Sequence, residues 1–589
     1  MTITIEHDTE SGMRVPWTLA LSLGFLLTGA SVVVSSEVFL RVTPGSLVAS
    51  LVVAAGIVGA VFWCVRRAGV RLEWVEGERL LLATVTVLGF VLATRVFDWP
   101  FFAPRGFSVD GAHHGAIVEY VASNLRFAEG TKTSLDRFAQ YPNGAHLLAA
   151  VGSRVFGTFP VQSMGFLGFI CLLMTVQIGG VTASLVTRAG MRRVPVAGAN
   201  SYAPIVAALS VPVMTFAASR FTIGMLSKDY FFAQLVALTM VAGGVAALVV
   251  FSDRQNADPR ATPLILLTIG LLSAASTFVY PLQITLLPAA VVLILIVRRN
   301  RQWFMASAVC AGSVVAVLAF TIPRLGASRT MAGDEGVIAT PRLSELGGLA
   351  TALFLVEGLL ALGASIGFRR RRRDRETAST ASGATSVAVL GPFIAAVAQT
   401  VGLLVVRNLP GLPTISRYTA YKNVYLAVPF ALIIAAVGVG HAWTAIPLLR
   451  GRLASSALVA LLMLYPFVSA TRRSDLTNSS RALISEDSYR LLRDFRNDIG
   501  SAPIAILAPD IEPYALSWIA LRRPQAAVPN PYLIDRLTLA DLPGSGRRFV
   551  LVLGRTNYAE VRRSPAMADL VRIGARRDAV LFGPSELAR

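Results

Sequence analysis

The amino-acid sequence predicts an all-α polytopic membrane protein with a small α/β domain at its C-terminal end. Hydrophobic residues make up 54% of the 589 residues, charged residues make up 15%, and the mean hydropathy is +0.62. A soluble domain carries roughly 25% charged residues, so this chain lacks the polar side chains to cover a water-facing surface. The composition therefore excludes a soluble enzyme, a disordered chain and a fibrous repeat.

About thirteen stretches of the chain are apolar and long enough to cross a membrane. A spanning helix needs roughly 20 predominantly apolar residues because the hydrocarbon layer is about 30 Å thick. The predicted stretches are 17–37, 47–65, 79–97, 160–186, 202–218, 231–251, 262–279, 282–297, 304–322, 348–367, 386–406, 424–440 and 453–470.

The arginines predict how these stretches are oriented. Basic residues concentrate in cytoplasmic loops, and here arginine-rich connections alternate with arginine-poor ones along the chain. We therefore expect a multi-pass protein of the plasma membrane with a cytoplasmic N-terminus and an extracytoplasmic C-terminus. The net charge of +20 then reflects topology, and we expect no nucleic-acid partner. The arginine-rich connections contain Arg66, Arg67, Arg71, Arg79, Arg188, Arg192, Arg193, Arg254, Arg260, Arg298, Arg299, Arg301, Arg369–Arg373, Arg375, Arg450 and Arg452.

Two parts are expected to project on the outer side. The first is the connection 98–159, which belongs to a transmembrane domain of residues 1–470. The second is the tail 471–589, whose composition is that of a soluble α/β domain. In the tail, the apolar runs Ile504–Leu507, Phe549–Leu553 and Ala579–Phe582 predict strands, and the stretches 512–521 and 558–573 predict helices.

The outer connection 98–159 carries the first candidate site. It contains three of the five histidines of the chain, His113, His114 and His146, together with Asp110 and Tyr141. A helix that begins near Asp110 places the first two histidines one turn away from it, with Asp110 as the expected N-cap. The helix is predicted to be amphipathic and to lie along the membrane surface. Asp110, His113 and His114 are the predicted catalytic residues, and Glu119 is a weaker candidate on the opposite face.

A second outer connection contributes Lys228 and Asp229, just before the stretch 231–251. The simplest interpretation is that these two residues form a charge pair at the membrane interface. The functional one is substrate binding, or a divalent cation shared by Asp110, Asp229 and His114, since carboxylate oxygens and imidazole are suitable ligands. A divalent metal is the one cofactor that the sequence suggests.

A third group consists of Arg417 and Lys422, also at an outer membrane end. Such cations can hold a phosphate at head-group level, although a solvated loop is the alternative. Glu357 lies inside the stretch 348–367 with no evident basic partner in the sequence. A carboxylate within a membrane is a functional candidate by default.

Short motifs in the first outer connection resemble those of a known family. Ser108-Val109-Asp110 is followed about thirty residues later by Tyr141-Pro142-Asn143-Gly144. The order and the topology resemble the GT-C glycosyltransferases, in particular the priming arabinofuranosyltransferases of actinobacterial cell walls. The histidines resemble those of bacterial GT-C relatives with an Asp…His…Tyr-Pro-x-Gly-x-His loop. The resemblance covers residues 80–235 by motif and the rest by topology.

The resemblance implies a GT-C-like enzyme that transfers a sugar, arabinofuranose being one candidate, from a polyprenyl-phosphate donor to an envelope glycan or glycolipid acceptor in the bilayer. Tyr141 and His146 are then expected to bind substrate along with Lys228, Asp229, Arg417 and Lys422. Three other functions stay open. They are a transporter or flippase of a lipid-linked sugar, an O-antigen-type polymerase or ligase, and a scaffold whose outer domain recruits partners.

Overall fold

The protein is mostly helical in the computed structural model, as the sequence predicts. The structure describes residues 13–42, 47–99, 101, 103–105, 109–124, 141–191, 202–227, 231–253, 259–321, 342–367, 376–407, 416–446, 452–472, 484–500, 502, 504–507, 515–516, 519–521, 548–553, 558 and 561–588.

Twelve helices of the described chain are long and apolar enough to cross a membrane, and each overlaps one of the predicted stretches. The thirteenth stretch forms the helix Tyr202–Ala217. Its 16 residues span about 24 Å, which is shorter than the roughly 30 Å hydrocarbon layer. The predicted polytopic architecture is thus confirmed, with one helix shorter than a full span.

The helices of the first half of the chain are α1 Trp17–Val42, α2 Leu47–Arg67, α3 Glu78–Val96, α4 Val109–Asn124, α5 Gly144–Phe156, α6 Pro160–Met191, α7 Tyr202–Ala217, α8 Gly224–Ser227, α9 Phe232–Asp253, α10 Thr262–Val279 and α11 Leu286–Arg298. Those of the second half are α12 Arg301–Thr321, α13 Gly348–Gly367, α14 Glu376–Val406, α15 Arg417–Lys422, α16 Val424–Ala445, α17 Arg452–Arg472, α18 Glu486–Asp494 and α19 Arg496–Ile499.

Eight short strands accompany these helices. Two two-stranded pairs join β1 to β2 and β3 to β4, and the remaining four strands form a sheet in the tail. The strands are β1 Arg14–Pro16, β2 Arg71–Glu73, β3 Phe97–Asp98, β4 Ala103–Pro104, β5 Ile504–Leu507, β6 Phe549–Leu553, β7 Val571–Ala575 and β8 Ala579–Gly583.

The tail is the small α/β domain that its composition predicts. Its sheet has the order β5-β6-β8-β7, with β5 and β6 parallel and the other pairs antiparallel. The buried strands β5 and β6 pack Ala505, Leu507, Val550 and Val552 into one apolar core. The predicted helix 558–573 is wrong at its end, because residues from Val571 pair with β8 instead. The predicted helix 512–521 lies largely outside the described residues.

The chain forms two compact units. The first comprises Met1–Gly89, Cys171–Thr222 and Val236–Arg472, and the second comprises Phe90–Ile170, Ile223–Leu235 and Arg473–Arg589. The first outer connection and the tail therefore belong to the same unit. The division into residues 1–470 and 471–589 follows the expected side of the membrane and stays a prediction.

In the first unit, helices α13 and α16 approach each other at two glycines. A Cβ on Gly358 would overlap the carbonyl oxygen of Ile434, and one on Gly438 would overlap that of Phe354. Small residues at a contact between two membrane helices allow the two backbones to come this close.

The same two helices bring a histidine to the intramembrane carboxylate. The Nδ1 atom of His441 lies 2.7 Å from Oε1 of Glu357, and both side chains are more than a third exposed. The expectation that Glu357 lacks a basic partner is therefore wrong. The partner is 84 residues away in the sequence, so that neither segment indicates it alone.

Candidate functional site

Helix α4 carries Asp110 in its first turn. The helix begins at Val109, so Asp110 lies inside it rather than at the N-cap position that the sequence suggests. A carboxylate in the first turn still interacts favourably with the positive end of the helix dipole. The Asp110 side chain is half-buried, and His113 and His114 follow one turn later on the same helix, both buried.

The surroundings of α4 differ from those of a surface helix. Every residue from Gly111 to Ala122 is buried, and α4 packs against α5. The amphipathic pattern expected of this segment is therefore wrong for the folded unit, because both faces of the helix are covered. Gly115 allows the tail to pack closely against the helix, because a Cβ at this position would lie 2.7 Å from the Ile519 side chain.

Two histidines of the second unit form a hydrogen-bonded chain. Nδ1 of His146 donates to the carbonyl oxygen of Pro142 at 3.0 Å, and Nδ1 of His114 lies 2.8 Å from Nε2 of His146. A nitrogen that donates to a carbonyl carries the proton, so Nε2 of neutral His146 accepts from His114. Nδ1 of His114 is then the donor in the contact with His146.

Burial keeps His146 neutral. Burial, and next the neighbouring His114, lower the pKa of His146 well below its ordinary value, while the Pro142 carbonyl opposes this in part. A neutral His146 acts only as an acceptor at Nε2 and so orients the His114 ring. The substrate-binding role expected of His146 stays a prediction.

Aromatic rings enclose the histidine pair. The ring of Tyr141 lies edge-on to His114 at 5.2 Å and to His146 at 5.8 Å, and the ring of Phe232 lies 6.0 and 5.8 Å from the same two. Burial, and next the negative charge of Asp110, raise the pKa of Tyr141 above its ordinary range. The Tyr141 hydroxyl therefore stays protonated. Phe232 was not predicted, since an apolar residue that begins an apolar helix gives no signal in the sequence.

The predicted residues Lys228 and Asp229 lie outside the described residues. Within the part of the chain that the structure describes, no group of three or more metal-ligating side chains comes together. Asp110 supplies an oxygen and His114 a nitrogen, which are donors of the right kind for a divalent cation. The third predicted ligand is Asp229, so the metal site stays a prediction.

Arg417 and Lys422 lie on the short helix α15 of the first unit. The Ser416 hydroxyl caps this helix by accepting from the backbone N–H of Thr419 at 3.2 Å. The Arg417 side chain is exposed, and the Lys422 ammonium lies 4.2 Å from the centre of the Tyr418 ring. The predicted cations thus share one helix, and the phosphate contact expected of them stays a prediction.

Close to α15 in the sequence, Tyr425 on α16 belongs to a polar group that the sequence analysis missed. Arg220 forms an ion pair with Glu345, and the ring of Phe221 lies 4.7 Å from that of Tyr425. Burial raises the pKa of Glu345, but the Arg342 backbone and Arg220 outweigh it and hold the pKa below its ordinary value. Single charges spread over three distant segments give no motif, which is why the sequence does not reveal the group.

Glu119 on the far face of α4 has a structural role. Its carboxylate accepts from the Tyr489 hydroxyl at 2.8 Å and pairs with Arg496 at 3.1 Å. The Glu119 side chain is 1% exposed and that of Arg496 is 20% exposed. Burial, and next the charge of Glu119, raise the pKa of Tyr489 above its ordinary range, so its hydroxyl remains a donor. This ion pair attaches α4 to the tail.

Comparison with known proteins gives matches among solved structures alone. No family model matches the chain, and no curated protein matches it. An oligosaccharyltransferase of Archaeoglobus fulgidus, solved with zinc and sulfate, is 15% identical, with 83% of this chain and 71% of that one covered and a TM-score of 0.40. Arabinofuranosyltransferase AftD from Mycobacteria is 13% identical, with 86% of this chain and 40% of that one covered and a TM-score of 0.44.

These two matches are likenesses of structure alone. At this identity and with TM-scores below 0.5, they transfer neither a family nor an activity to this chain.

Proposed function

We propose that this chain is a membrane glycosyltransferase that transfers a sugar from a polyprenyl-phosphate donor to an envelope glycan or glycolipid acceptor. Arabinofuranose is one candidate sugar, from the resemblance of the sequence motifs. The reaction takes place on the extracytoplasmic side, where the arginine distribution puts the first outer connection and the tail.

The observation that carries the proposal is the polar cluster at the starts of α4 and α5. Asp110, His114, Tyr141 and His146 come from two segments about thirty residues apart, and their side chains interact within the second unit. An acidic group, a protonated hydroxyl and an oriented imidazole are side chains that can serve acid–base chemistry on a sugar.

The chemistry follows from these groups. A hydroxyl of the acceptor attacks the anomeric carbon, the bond between that carbon and the phosphate oxygen breaks, and the hydroxyl proton moves to the Asp110 carboxylate. His114, oriented by His146, stands one turn further along α4, and the Tyr141 hydroxyl is a hydrogen-bond donor for a sugar oxygen. A divalent cation held by Asp110, His114 and Asp229 would neutralise charge on the departing phosphate.

A second function is favoured by one observation in the first unit. Transporters keep polar and ionisable residues within their membrane helices, and the pair of Glu357 and His441 is of this kind. A transporter or flippase of a lipid-linked sugar is therefore the alternative. An O-antigen-type polymerase or ligase, with a diphosphate-linked donor, is distinguished from the leading proposal by its donor.

The test is the replacement Asp110→Asn, assayed with a panel of polyprenyl-phosphate sugars in purified, detergent-solubilised protein. Asparagine keeps the shape of the side chain and removes its basicity, so we expect transfer to fall by about 10²–10⁴-fold. Donor binding and the unfolding temperature should stay near those of the parent. Asp98→Asn is the matched control, because Asp98 lies in the same unit and pairs with Arg105 at 3.6 Å.

Full activity of Asp110→Asn would contradict the catalytic role of Asp110. Absence of transfer by the parent protein with every donor, together with movement of a lipid-linked sugar that Glu357→Gln abolishes, would favour the transporter instead.

A further inference from the structure

The second unit contains a cleft separate from the histidine cluster. Its volume is about 270 Å³, and it lies between the ends of α4 and α5, the start of α6, and α18. Pockets for drug-sized ligands measure roughly 300–1,000 Å³, so this one suits a small group. Its polar lining includes Arg154, Ser153, Thr158 and Arg493.

Two arginines give the cleft its charge. Among the described residues, neither Arg154 nor Arg493 forms an ion pair with a carboxylate. Nε of Arg154 donates to the carbonyl oxygen of Ala122 at 2.7 Å, which fixes the guanidinium and leaves its terminal nitrogens to bind other groups. The Arg493 guanidinium lies 5.3 Å from the centre of the Phe159 ring, where the aromatic face holds it.

The carboxylates of Glu486, Glu119 and Asp494 form ion pairs with other arginines and not with these two. The cleft therefore carries two positive charges that an anion can balance. The neighbouring pairs are Arg490 with Glu486 at 2.6 Å, Arg496 with Glu119 at 3.1 Å, and Arg576 with Asp494 at 2.7 Å.

The start of α6 reinforces this preference for an anion. Thr158, Phe159 and Pro160 line the cleft, and the 32-residue helix that begins at Pro160 directs the positive end of its dipole there. The same helix is long and apolar enough to span the membrane, and the predicted membrane stretch 160–186 begins at the same residue. Beside the cleft, Val155 and Phe156 are 70% and 77% exposed, which suits contact with lipid.

We propose that this cleft binds the phosphoryl group of a membrane lipid at head-group level. The planar guanidinium groups of Arg154 and Arg493 match phosphate oxygens in pairs, and the lipid chain leaves past Val155 and Phe156. The phosphoryl group belongs either to a polyprenyl phosphate or to a phospholipid. The site is independent of the transfer reaction proposed above, and binding can be measured without turnover.

The experiment is a set of titrations of the full chain in dodecyl maltoside, a detergent without phosphate. The probes are geranyl phosphate, phosphatidylglycerol, inorganic phosphate and oleate, with bound lipid read by native mass spectrometry. We expect at least one of the two lipid phosphates to bind more tightly than oleate and inorganic phosphate. Preference for geranyl phosphate identifies a polyprenyl phosphate as the source, and preference for phosphatidylglycerol identifies a phospholipid.

Arg493→Gln is the sharper variant, since Arg493 is exposed and stacks on a ring without fixing the backbone. The variant loses charge-assisted hydrogen bonds to the phosphate, so we expect affinity for the lipid phosphate to fall about 10-fold or more. Arg493→Lys should lose part of the affinity, because lysine keeps the positive charge but lacks the planar guanidinium that binds two phosphate oxygens at once. Arg572→Gln, on the edge strand β7, is the control that removes an equal charge elsewhere in the unit.

Unchanged affinity in Arg493→Gln and Arg154→Gln would overturn the proposal. An equal loss in Arg572→Gln would do the same, since it would indicate attraction by the net charge of the unit. Binding of oleate or of inorganic phosphate as tightly as the lipid phosphates would also overturn it.

Discussion

Replacing Arg496 by glutamine is expected to loosen the attachment of α4 to the tail. The change leaves the Glu119 carboxylate, which is 1% exposed, with the Tyr489 hydroxyl and without its cation. Removing one partner of a buried ion pair costs about 3–5 kcal/mol, because the remaining charge stays in a medium of low polarity. At 1.4 kcal/mol for each factor of ten, this is a rise of between about 100-fold and about 4,000-fold in the population of the detached state.

Hydrogen–deuterium exchange of peptides from α4 and α18 measures this population directly, since local opening sets the exchange rate of each protected amide. The double variant Glu119→Gln with Arg496→Gln should recover much of the protection, because no charge is then buried. Arg576→Gln is the matched control. It breaks the ion pair between Arg576 and Asp494, whose side chains are 36% and 56% exposed, respectively. Such surface ion pairs contribute about 0–1 kcal/mol to stability.

The interpretation of Glu119 as an attachment point would be refuted by either of two results. One is exchange in Arg496→Gln within a few-fold of the parent. The other is a double variant as unprotected as the single one, which would mean that Arg496 acts without Glu119.

Two further predictions concern the candidate sites. Because the pKa of His146 is lowered in the folded chain, the unfolded chain binds more protons below about pH 6.5, so stability should fall as the pH drops through that range. His146→Gln should flatten a plot of unfolding temperature against pH from 5 to 8, and an unchanged slope would contradict this. Arg417→Ala should lower kcat/KM for the polyprenyl-phosphate sugar about 100-fold, with partial recovery in Arg417→Lys. Arg472→Ala, at the end of α17, is the control. An equal loss of kcat/KM in both variants would contradict a role for Arg417 in the site.

The membrane helices could be predicted because each is a local property of the sequence. A run of about 20 apolar residues in a bilayer satisfies its backbone groups only as a helix, whatever the rest of the chain does. The link between Asp110 and His114 is local in the same sense, since helical spacing fixes it. Even there the prediction put the helix start two positions too late, because an acidic residue suits both the N-cap and the first turn, and the helix begins at Val109.

The contacts that the sequence did not reveal join distant segments. Glu119 and Arg496 are 377 residues apart, and the tail offers many arginines that could have served equally. Which arginine pairs with Glu119 depends on how α4 packs against the tail, and no local sequence pattern indicates that packing. The edge strand β7 shows the same limitation on a smaller scale, because its pairing with β8 overrides the helical pattern predicted for 558–573.

The pair of Glu119 and Arg496 also has a consequence for biosynthesis. A ribosome adds about 5–20 residues each second, so some 20–75 s pass between the synthesis of the carboxylate and that of its cation. During this interval α4 holds an acidic side chain that it cannot bury at low cost. A chain truncated before residue 496 would leave the Glu119 carboxylate without its cation. The tail thus completes the folding of a segment made long before it.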